Sequence, residues 1–290
     1  MNTAPPLKIL PLSVVNHDRD SANLTYVYPV ISRRAGGVSV GINLNPNNAC
    51  NWRCVYCQVP NLTRGTAPPV NLGLLAQELQ GFMQEIVHGD FMQRRVPGAM
   101  QRINDIALSC NGEPTSSVEF EQVIALISQL RHSINFPAEI KTVLITNGSL
   151  MHRSGVQNGL RDMAKVNGEV WFKLDRASEA GMARVNDTQT RMDKVRAHLI
   201  TSISLCPTWL QTCWFAIDGV APNEQDEHDY LAFLASLIRD KHSLQGVLLY
   251  GLARPSMQAE APRLSSLPTE TLQKFVDKIK ALGLIVKVSD

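Results

Sequence analysis

The chain has 290 residues, of which 44% are hydrophobic and 19% are charged, and its formal net charge is +2. This balance is typical of a folded globular protein and excludes a disordered or fibrous chain. No run reaches the roughly 18 apolar residues that a bilayer span requires, so the sequence predicts no membrane contact. The small net charge does not by itself indicate a nucleic-acid partner.

Residues 1–24 are predicted to form an N-terminal arm, because prolines interrupt them and they lack helix or strand periodicity. Their apolar stretch is too short for a secretory signal. We therefore expect a cytoplasmic protein, in which clustered cysteines bind metal or carry out redox chemistry rather than form disulfides. Residues 25–290 are predicted to form one domain.

After residue 25, apolar runs of strand length alternate with helical stretches. The predicted strands are 38–44, 103–110, 141–147, 169–175, 208–218, 244–252 and 284–289. The predicted helices are 72–87, 117–133, 157–166, 177–185, 189–203, 224–241 and 268–282. Several strands are apolar at consecutive positions, which is typical of a parallel sheet covered on both faces. The alternation predicts an α/β fold whose chemistry lies at the carboxyl ends of the strands.

Three of the six cysteines, Cys50, Cys54 and Cys57, follow the first predicted strand closely enough to converge on one metal centre. A structural zinc site needs four protein ligands, whereas three thiolates leave one position open. An iron–sulfur cluster with one open iron fits this set better. Zinc binding and three buried apolar cysteines are the alternatives. Cys110, Cys206 and Cys213 are too scattered to indicate a second cluster.

The segment 50–57, CNWRCVYC, resembles the CxxxCxΦC motif of the radical S-adenosylmethionine (SAM) superfamily, with Tyr56 at the aromatic position. The resemblance implies a partial (β/α)6 TIM-like barrel with short N- and C-terminal extensions. It implies that Cys50, Cys54 and Cys57 hold a [4Fe–4S] cluster with SAM at the open iron, and that Tyr56 lies near the adenine. Reductive cleavage of SAM would yield a 5′-deoxyadenosyl radical that abstracts hydrogen from an unidentified substrate. Flavodoxin or ferredoxin would be the one-electron donor.

The second predicted strand leads into Asn111-Gly112-Glu113-Pro114, which resembles the GGEP motif of the same superfamily with Asn111 in place of the first glycine. The resemblance implies that backbone oxygens of this motif receive the SAM ammonium group. A glycine at this position would let a ligand approach the backbone. The alternative is an ordinary strand-to-helix turn. Asn147, at the end of the third strand, is a weaker candidate for a polar contact with SAM.

Lys173 and Asp175 lie two residues apart on the fourth predicted strand, so they share a face. We predict that Lys173 binds the SAM carboxylate and that Asp175 binds a ribose hydroxyl; a mutual ion pair is the alternative. The resemblance implies that Gly251, in the sixth strand, lets the adenine approach the backbone. Arg254 is either an anion ligand or a surface residue.

The resemblance extends over about residues 29–256 to the wyosine synthase-like branch of Fe–S oxidoreductases, in residues 29–34, 41–46, 171–186, 210–219 and 248–255. Members that make the tricyclic base carry a second cluster on N-terminal cysteines, and residues 1–49 contain none. The wyosine reaction is therefore not carried over. The candidate substrates are a small molecule, a peptide or RNA.

Arg94, Arg95 and Arg102 form a basic stretch that either binds RNA or belongs to a solvated surface. Residues 58–70 and 255–290 are expected to cover the mouth of the barrel.

Overall fold

The computed structural model describes residues 12, 23–32, 36–252 and 254–289. The predicted arm, residues 1–24, lies outside the described residues except for residues 12, 23 and 24. Residues 33 and 34, which belong to the first segment of the family resemblance, also lie outside them. Among the helices described, none is both long enough and apolar enough to cross a bilayer.

The strands within the described residues are β1 (Val27–Ser32), β2 (Gly37–Ile42), β3 (Ala49–Cys50), β4 (Thr63–Arg64), β5 (Ile103–Leu108), β6 (Lys141–Thr146), β7 (Gly168–Lys173), β8 (Thr208–Cys213), β9 (Ala216–Ile217), β10 (Gly246–Tyr250), β11 (Leu264–Ser265) and β12 (Val286–Ser289). The helices are α1 (Leu72–His88), α2 (Phe91–Arg95), α3 (Phe120–Ser133), α4 (Ser154–Lys165), α5 (Glu179–Asn186), α6 (Met192–Leu205), α7 (Glu224–Arg239) and α8 (Thr269–Lys280).

Eight of these strands form one sheet, in the order β1-β2-β5-β6-β7-β8-β10-β12. Strand β1 pairs antiparallel with β2, and every other neighbouring pair in the sheet is parallel. Among the described residues no ladder joins β1 to β12, so the sheet stays open. The predicted fold, a mixed α/β protein built on a mostly parallel sheet, is confirmed.

The two faces of the sheet have different surroundings, and strand β5 shows why. Ile106 and Leu108 are fully buried in the apolar core, together with Leu75 and Leu79 of α1. The alternate positions, Asp105 and Ala107, line an internal cavity instead. Because side chains alternate across a strand, the helices cover one face and the other face is free to bind ligands.

The predicted strand 208–218 is wrong in extent, since β8 ends at Cys213 and β9 is a separate short strand. Between them, Trp214 stacks on Phe275 of α8 with ring centroids 4.1 Å apart. Phe215 points elsewhere and meets the ring of Tyr56 edge-on at 5.5 Å. These two adjacent aromatic residues are both buried, but they pack into two different hydrophobic clusters. Consecutive buried apolar residues are also typical of a strand, which explains the error. The antiparallel strand β1 and helix α2 were not predicted.

Candidate metal and cofactor site

A cavity of about 930 Å³ lies where the parallel strands β5 to β10 end. The predicted site residues that line it are Cys50, Cys54, Cys57, Tyr56, Asn111, Gly112, Glu113, Asn147, Lys173 and Gly251. Pro114 and Asp175, the other two predicted residues, are not part of its lining. The fold thus gathers residues from loops that are distant in sequence around one space.

Residues 50–57, which we call the cysteine loop, start beside the turn at Gly112. A Cβ atom on Gly112 would lie 1.9 Å from the carbonyl oxygen of Ala49 and 2.7 Å from Nδ2 of Asn45. The same Ala49 oxygen accepts a hydrogen bond of 3.0 Å from Asn45 Nδ2. Gly112 therefore lets the turn approach the chain's own backbone closely at Ala49, and it also lines the cavity.

The far side of the cysteine loop is held by the end of α5. The backbone N–H of Arg53 donates to Asn186 O at 3.2 Å, and that of Val55 donates to Val185 O at 2.9 Å. The Arg53 guanidinium forms an ion pair with Asp187 at 3.0 Å. These contacts join the cysteine loop, which follows β2, to α5, which follows β7. They therefore hold the loop in place over the end of the sheet.

A third support comes from the segment 256–260. Ser256 Oγ donates to Val55 O at 2.8 Å, and the Met257 N–H donates to Cys57 O at 2.9 Å. Glu260 accepts two hydrogen bonds from the Arg53 guanidinium. The segment 256–260 thus lies directly on the cysteine loop. It belongs to residues 255–290, which we expected to cover the mouth of the barrel.

The cysteine thiols are held in a low-dielectric environment. Burial raises the pKa of Cys50 to about 11 and that of Cys54 to about 12. Both are therefore protonated at neutral pH in the free protein, and a metal must displace these protons to bind the thiolates. Asn186 Nδ2 donates to Cys54 Sγ at 3.2 Å.

The cysteines do not converge as the ligands of one ion would. Among the described residues, no group of three His, Cys, Asp or Glu side chains is arranged to hold a single metal ion. Tetrahedral zinc with Zn–S bonds of about 2.3 Å brings its sulfurs to within about 4 Å of each other. Thiolates of a cluster each bind a different iron, so they lie farther apart. Three thiols without a fourth protein ligand are the donor set that a cluster with one open iron takes, and among the described residues they do not complete a zinc site.

Tyr56 is fixed by a buried carboxylate. Its hydroxyl donates to Asp175 Oδ2 at 2.6 Å, and the Cys213 N–H donates to Asp175 Oδ1 at 2.7 Å. Burial raises the pKa of Tyr56 well above its ordinary value, so the phenol stays protonated. Asp175 is only 1% exposed, with both oxygens already bonded. The geometry therefore does not support the predicted ribose contact of Asp175, and its role is to position Tyr56.

Lys173 carries its charge into the cavity. Its Nζ lies 5.4 Å from the centre of the Tyr56 ring. Within the described residues the Asp175 oxygens accept from Tyr56, Asn186 and Cys213 and not from Lys173, so the alternative of a mutual ion pair is not supported. Burial lowers the pKa of Lys173, but the acidic groups around it raise it by more, so its pKa lies above the ordinary value and the side chain stays an ammonium. An anion in the cavity would find this cation available.

The side chain of Glu113 ties two strand ends together. Its carboxylate accepts from Thr146 Oγ1 at 2.6 Å, from the Asn147 N–H at 2.6 Å and from the Thr115 N–H at 3.1 Å. Burial raises its pKa, although these donors lower it. Pro114 begins the short 3₁₀ turn Pro114–Ser116 that presents Thr115. This half of the motif therefore holds β6 against the turn that follows β5.

The two asparagines of the predicted site are also bonded to the loops. Asn147 Nδ2 donates to Asn51 Oδ1 at 2.8 Å, and Asn111 Nδ2 donates to Asn48 Oδ1 at 2.7 Å. Both side chains reach the cavity, but these bonds anchor the region around the cysteine loop.

Gln211 is a site residue to which the sequence assigned no role. It is 4% exposed, its Oε1 has no hydrogen-bond partner within the described residues, and it lines the cavity. It pairs across the strands with Lys173. Its neighbour Thr212 points to the other face and donates to Leu174 O. The sequence does contain a signal for this residue, because Gln211 is a single amide side chain within the mostly apolar strand β8.

Asp105 lies deeper in the cavity and accepts hydrogen bonds from Ser39 Oγ and from Asn104 Nδ2. Burial raises its pKa from 3.8 to about 6, while these donors lower it. The folded protein therefore binds a proton that the unfolded chain has lost between about pH 4 and pH 6, and stability falls as pH rises through that window.

Replacing Asp105 with asparagine is expected to increase the free energy of unfolding at about pH 8 by up to about 3 kcal/mol, since one pKa unit corresponds to about 1.4 kcal/mol. The gain should disappear below about pH 4, where Asp105 is neutral in both states. Urea unfolding at both pH values measures it. Asp193→Asn, at an exposed aspartate paired with Arg191, is the matched control and should not stabilise. Equal stability of wild type and Asp105→Asn at about pH 8 would contradict the prediction.

The basic stretch is not an open cationic surface. Arg94 forms an ion pair with Asp90 at 3.0 Å, one helical turn away. Arg95 is 3% exposed, and its guanidinium lies 5.3 Å from the centre of the Phe91 ring. Of the three arginines of the RNA interpretation, Arg95 is therefore buried, whereas Arg94 and Arg102 stay exposed.

Comparison with known proteins gives a distant relative by sequence. A UPF0026 protein of Helicobacter pylori is 26% identical over 250 residues, which cover 84% of this chain and 71% of that protein. No family model matches the chain.

Solved structures share the fold. SuiB of Streptococcus suis superposes with a TM-score of 0.53 at 12% identity over 83% of this chain, and the match spans 46% of SuiB, less than half of its length. SuiB has also been solved bound to S-adenosylmethionine. TYW1, solved with a lysine–pyruvate adduct, superposes with a TM-score of 0.51 at 12% identity over 84% of this chain and 73% of TYW1. Both are radical SAM enzymes, and the resemblance seen in the sequence is confirmed at the level of the fold.

Proposed function

We propose that this chain, which has the fold of radical SAM enzymes, is itself a radical SAM enzyme that acts on an unidentified substrate. The observation that carries the proposal is the shared cavity: the three cysteines of the CxxxCxΦC motif line the same space as Lys173 and Gly251. Two residues of the motif are held in place by buried side chains, Cys54 by Asn186 and Tyr56 by Asp175. The fold alone would not support a function, but the motif cysteines and the residues around them are the groups that binding a cluster and SAM requires.

Cys50, Cys54 and Cys57 would hold a [4Fe–4S] cluster, and the cavity would hold SAM. One-electron reductive cleavage of SAM to a 5′-deoxyadenosyl radical is the chemistry that this pair supplies when bound. Lys173 offers an ammonium group to the SAM carboxylate. Tyr56, with its hydroxyl held by Asp175, presents a fixed aromatic ring for the adenine. A Cβ atom on Gly251 would meet nothing within 4 Å, so its backbone faces open space that a planar base can enter.

Reductive cleavage of SAM by a thiolate-bound cluster requires a reducing compartment and an electron donor. All six cysteines are free thiols, the state that the cytoplasm maintains. We therefore place the enzyme in the cytoplasm, with a one-electron donor such as flavodoxin or ferredoxin.

Anaerobic reconstitution with iron and sulfide tests the proposal. We expect a brown protein with iron and sulfide in the ratio of a [4Fe–4S] cluster, which converts SAM into methionine and 5′-deoxyadenosine when dithionite is added. A colourless protein that binds zinc and leaves SAM intact would contradict it. Deuterated small molecules, peptides and RNA can then be compared as substrates by the transfer of deuterium into 5′-deoxyadenosine.

A further inference from the structure

Asn186, the last residue of α5, contacts both the cysteine loop and the residue that positions Tyr56. Its Nδ2 atom lies 3.2 Å from Cys54 Sγ and 2.6 Å from Asp175 Oδ2. Its side chain is 1% exposed. A carboxamide nitrogen has two hydrogens, so a single group donates one to the sulfur and one to the carboxylate.

The orientation of this amide follows from its partners. Asp175 is a carboxylate that accepts from Tyr56 and Cys213, and Cys54 is a sulfur ligand that accepts once its proton is displaced. Rotating the amide would place its oxygen against the Asp175 oxygen at 2.6 Å, which two acceptors cannot tolerate. Asp175 therefore fixes the direction of the N–H bond toward sulfur. The remaining Oδ1 atom of Asn186 has no partner within the described residues, so nothing competes for that orientation.

We infer that Asn186 is a positioning residue that raises the reduction potential of a cluster bound through Cys54, by an N–H···S hydrogen bond that Asp175 orients. The inference rests on the proposed function. Reduction adds negative charge to the cluster and its sulfur ligands, so a donor at Cys54 stabilises the reduced state more than the oxidised state. Hydrogen bonds to cluster sulfurs are among the factors that set such potentials.

The burial of the contact makes its effect larger. Asn186 and Asp175 are each 1% exposed, so water cannot replace the donor if the amide is removed. The backbone oxygen of Asn186 accepts from the Arg53 N–H, a contact that a side-chain replacement leaves in place. The loop should therefore keep its position while the sulfur loses its donor.

Asn186→Leu keeps the branching at Cγ and the number of side-chain heavy atoms, Asn186→Ala shortens the side chain, and neither supplies an N–H group. We expect both reconstituted variants to show a shift of the cluster midpoint potential to more negative values, in the same direction, by EPR-monitored redox titration. The reduced cluster should also lose one exchangeable deuteron coupling in pulsed ENDOR after transfer to D₂O. Asn158→Leu, at an exposed residue of α4 that contacts Glu121, is the control and should match the wild type.

The outcomes separate this inference from the proposed function. A wild-type protein that forms no cluster would overturn both. A wild type with a normal cluster and Asn186 variants with unchanged potentials and deuteron couplings would overturn the tuning role alone. Folded Asn186 variants that fail to assemble any cluster would also overturn it, because a tuning contact is not required for ligation.

Discussion

Simultaneous replacement of Cys50, Cys54 and Cys57 with alanine is expected to abolish cluster binding and to reduce the formation of 5′-deoxyadenosine to background. The three thiols are the soft ligands that line the cavity at the cysteine loop, and no other residue of that loop carries a thiol. Iron content, the visible absorbance of the reconstituted protein and chromatography of the SAM products measure the effect. A variant that still cleaves SAM would refute the assignment of the cluster to these cysteines.

Cys206→Ala is the matched control for this experiment. Cys206 is 2% exposed, it lies at the end of α6, and it does not line the cavity. We expect this variant to bind the cluster and cleave SAM like the wild type. Loss of the cluster in Cys206→Ala would show that cysteine replacement in general, and not removal of a ligand, causes the defect.

Gly112→Ala is expected to give the largest stability effect of a single substitution in the site. Its new Cβ would lie 1.9 Å from the Ala49 carbonyl oxygen, which is backbone and cannot rotate away. Overpacking of this kind costs about 3 kcal/mol or more. That corresponds to a fall in Tm of about 6 to 12 °C for a domain of this size. Because the clash lies at the start of the cysteine loop, cluster content should fall as well, as iron analysis would show.

Two other glycines provide controls for the Gly112 substitution. A Cβ on Gly81, in the middle of α1, would meet nothing within 4 Å, so Gly81→Ala should leave the Tm unchanged or raise it. Gly251→Ala should also keep the Tm but weaken SAM binding, because its Cβ would enter the cavity. A Gly112→Ala protein with the Tm and iron content of Gly81→Ala would show that the contact with Ala49 is not structural.

The motif residues illustrate how far local sequence carried the prediction. The spacing of Cys50, Cys54 and Cys57 favours a cluster over zinc, because spacing and ligand type are local properties. The strand–helix alternation predicted the parallel sheet for the same reason, since a strand buried on both faces must be apolar at consecutive positions. The stretch 208–218 misled that reasoning, because burial of Trp214 and Phe215 in two different clusters produces the same pattern.

The roles of the polar residues depended on contacts between segments far apart in the chain. Asp175 and Lys173 look equivalent on one strand, yet one is enclosed by Tyr56, Cys213 and Asn186 while the other faces the cavity. By itself the sequence determined the fold class and predicted the candidate metal ligands, because both depend on residue type and short spacing. Only the tertiary structure decided which strand-end groups hold the loop and which are left for a ligand. The physical reason is that the role of a buried polar group is set by its hydrogen-bond partners, and those partners lie up to 201 residues away, as Val55 does from Ser256.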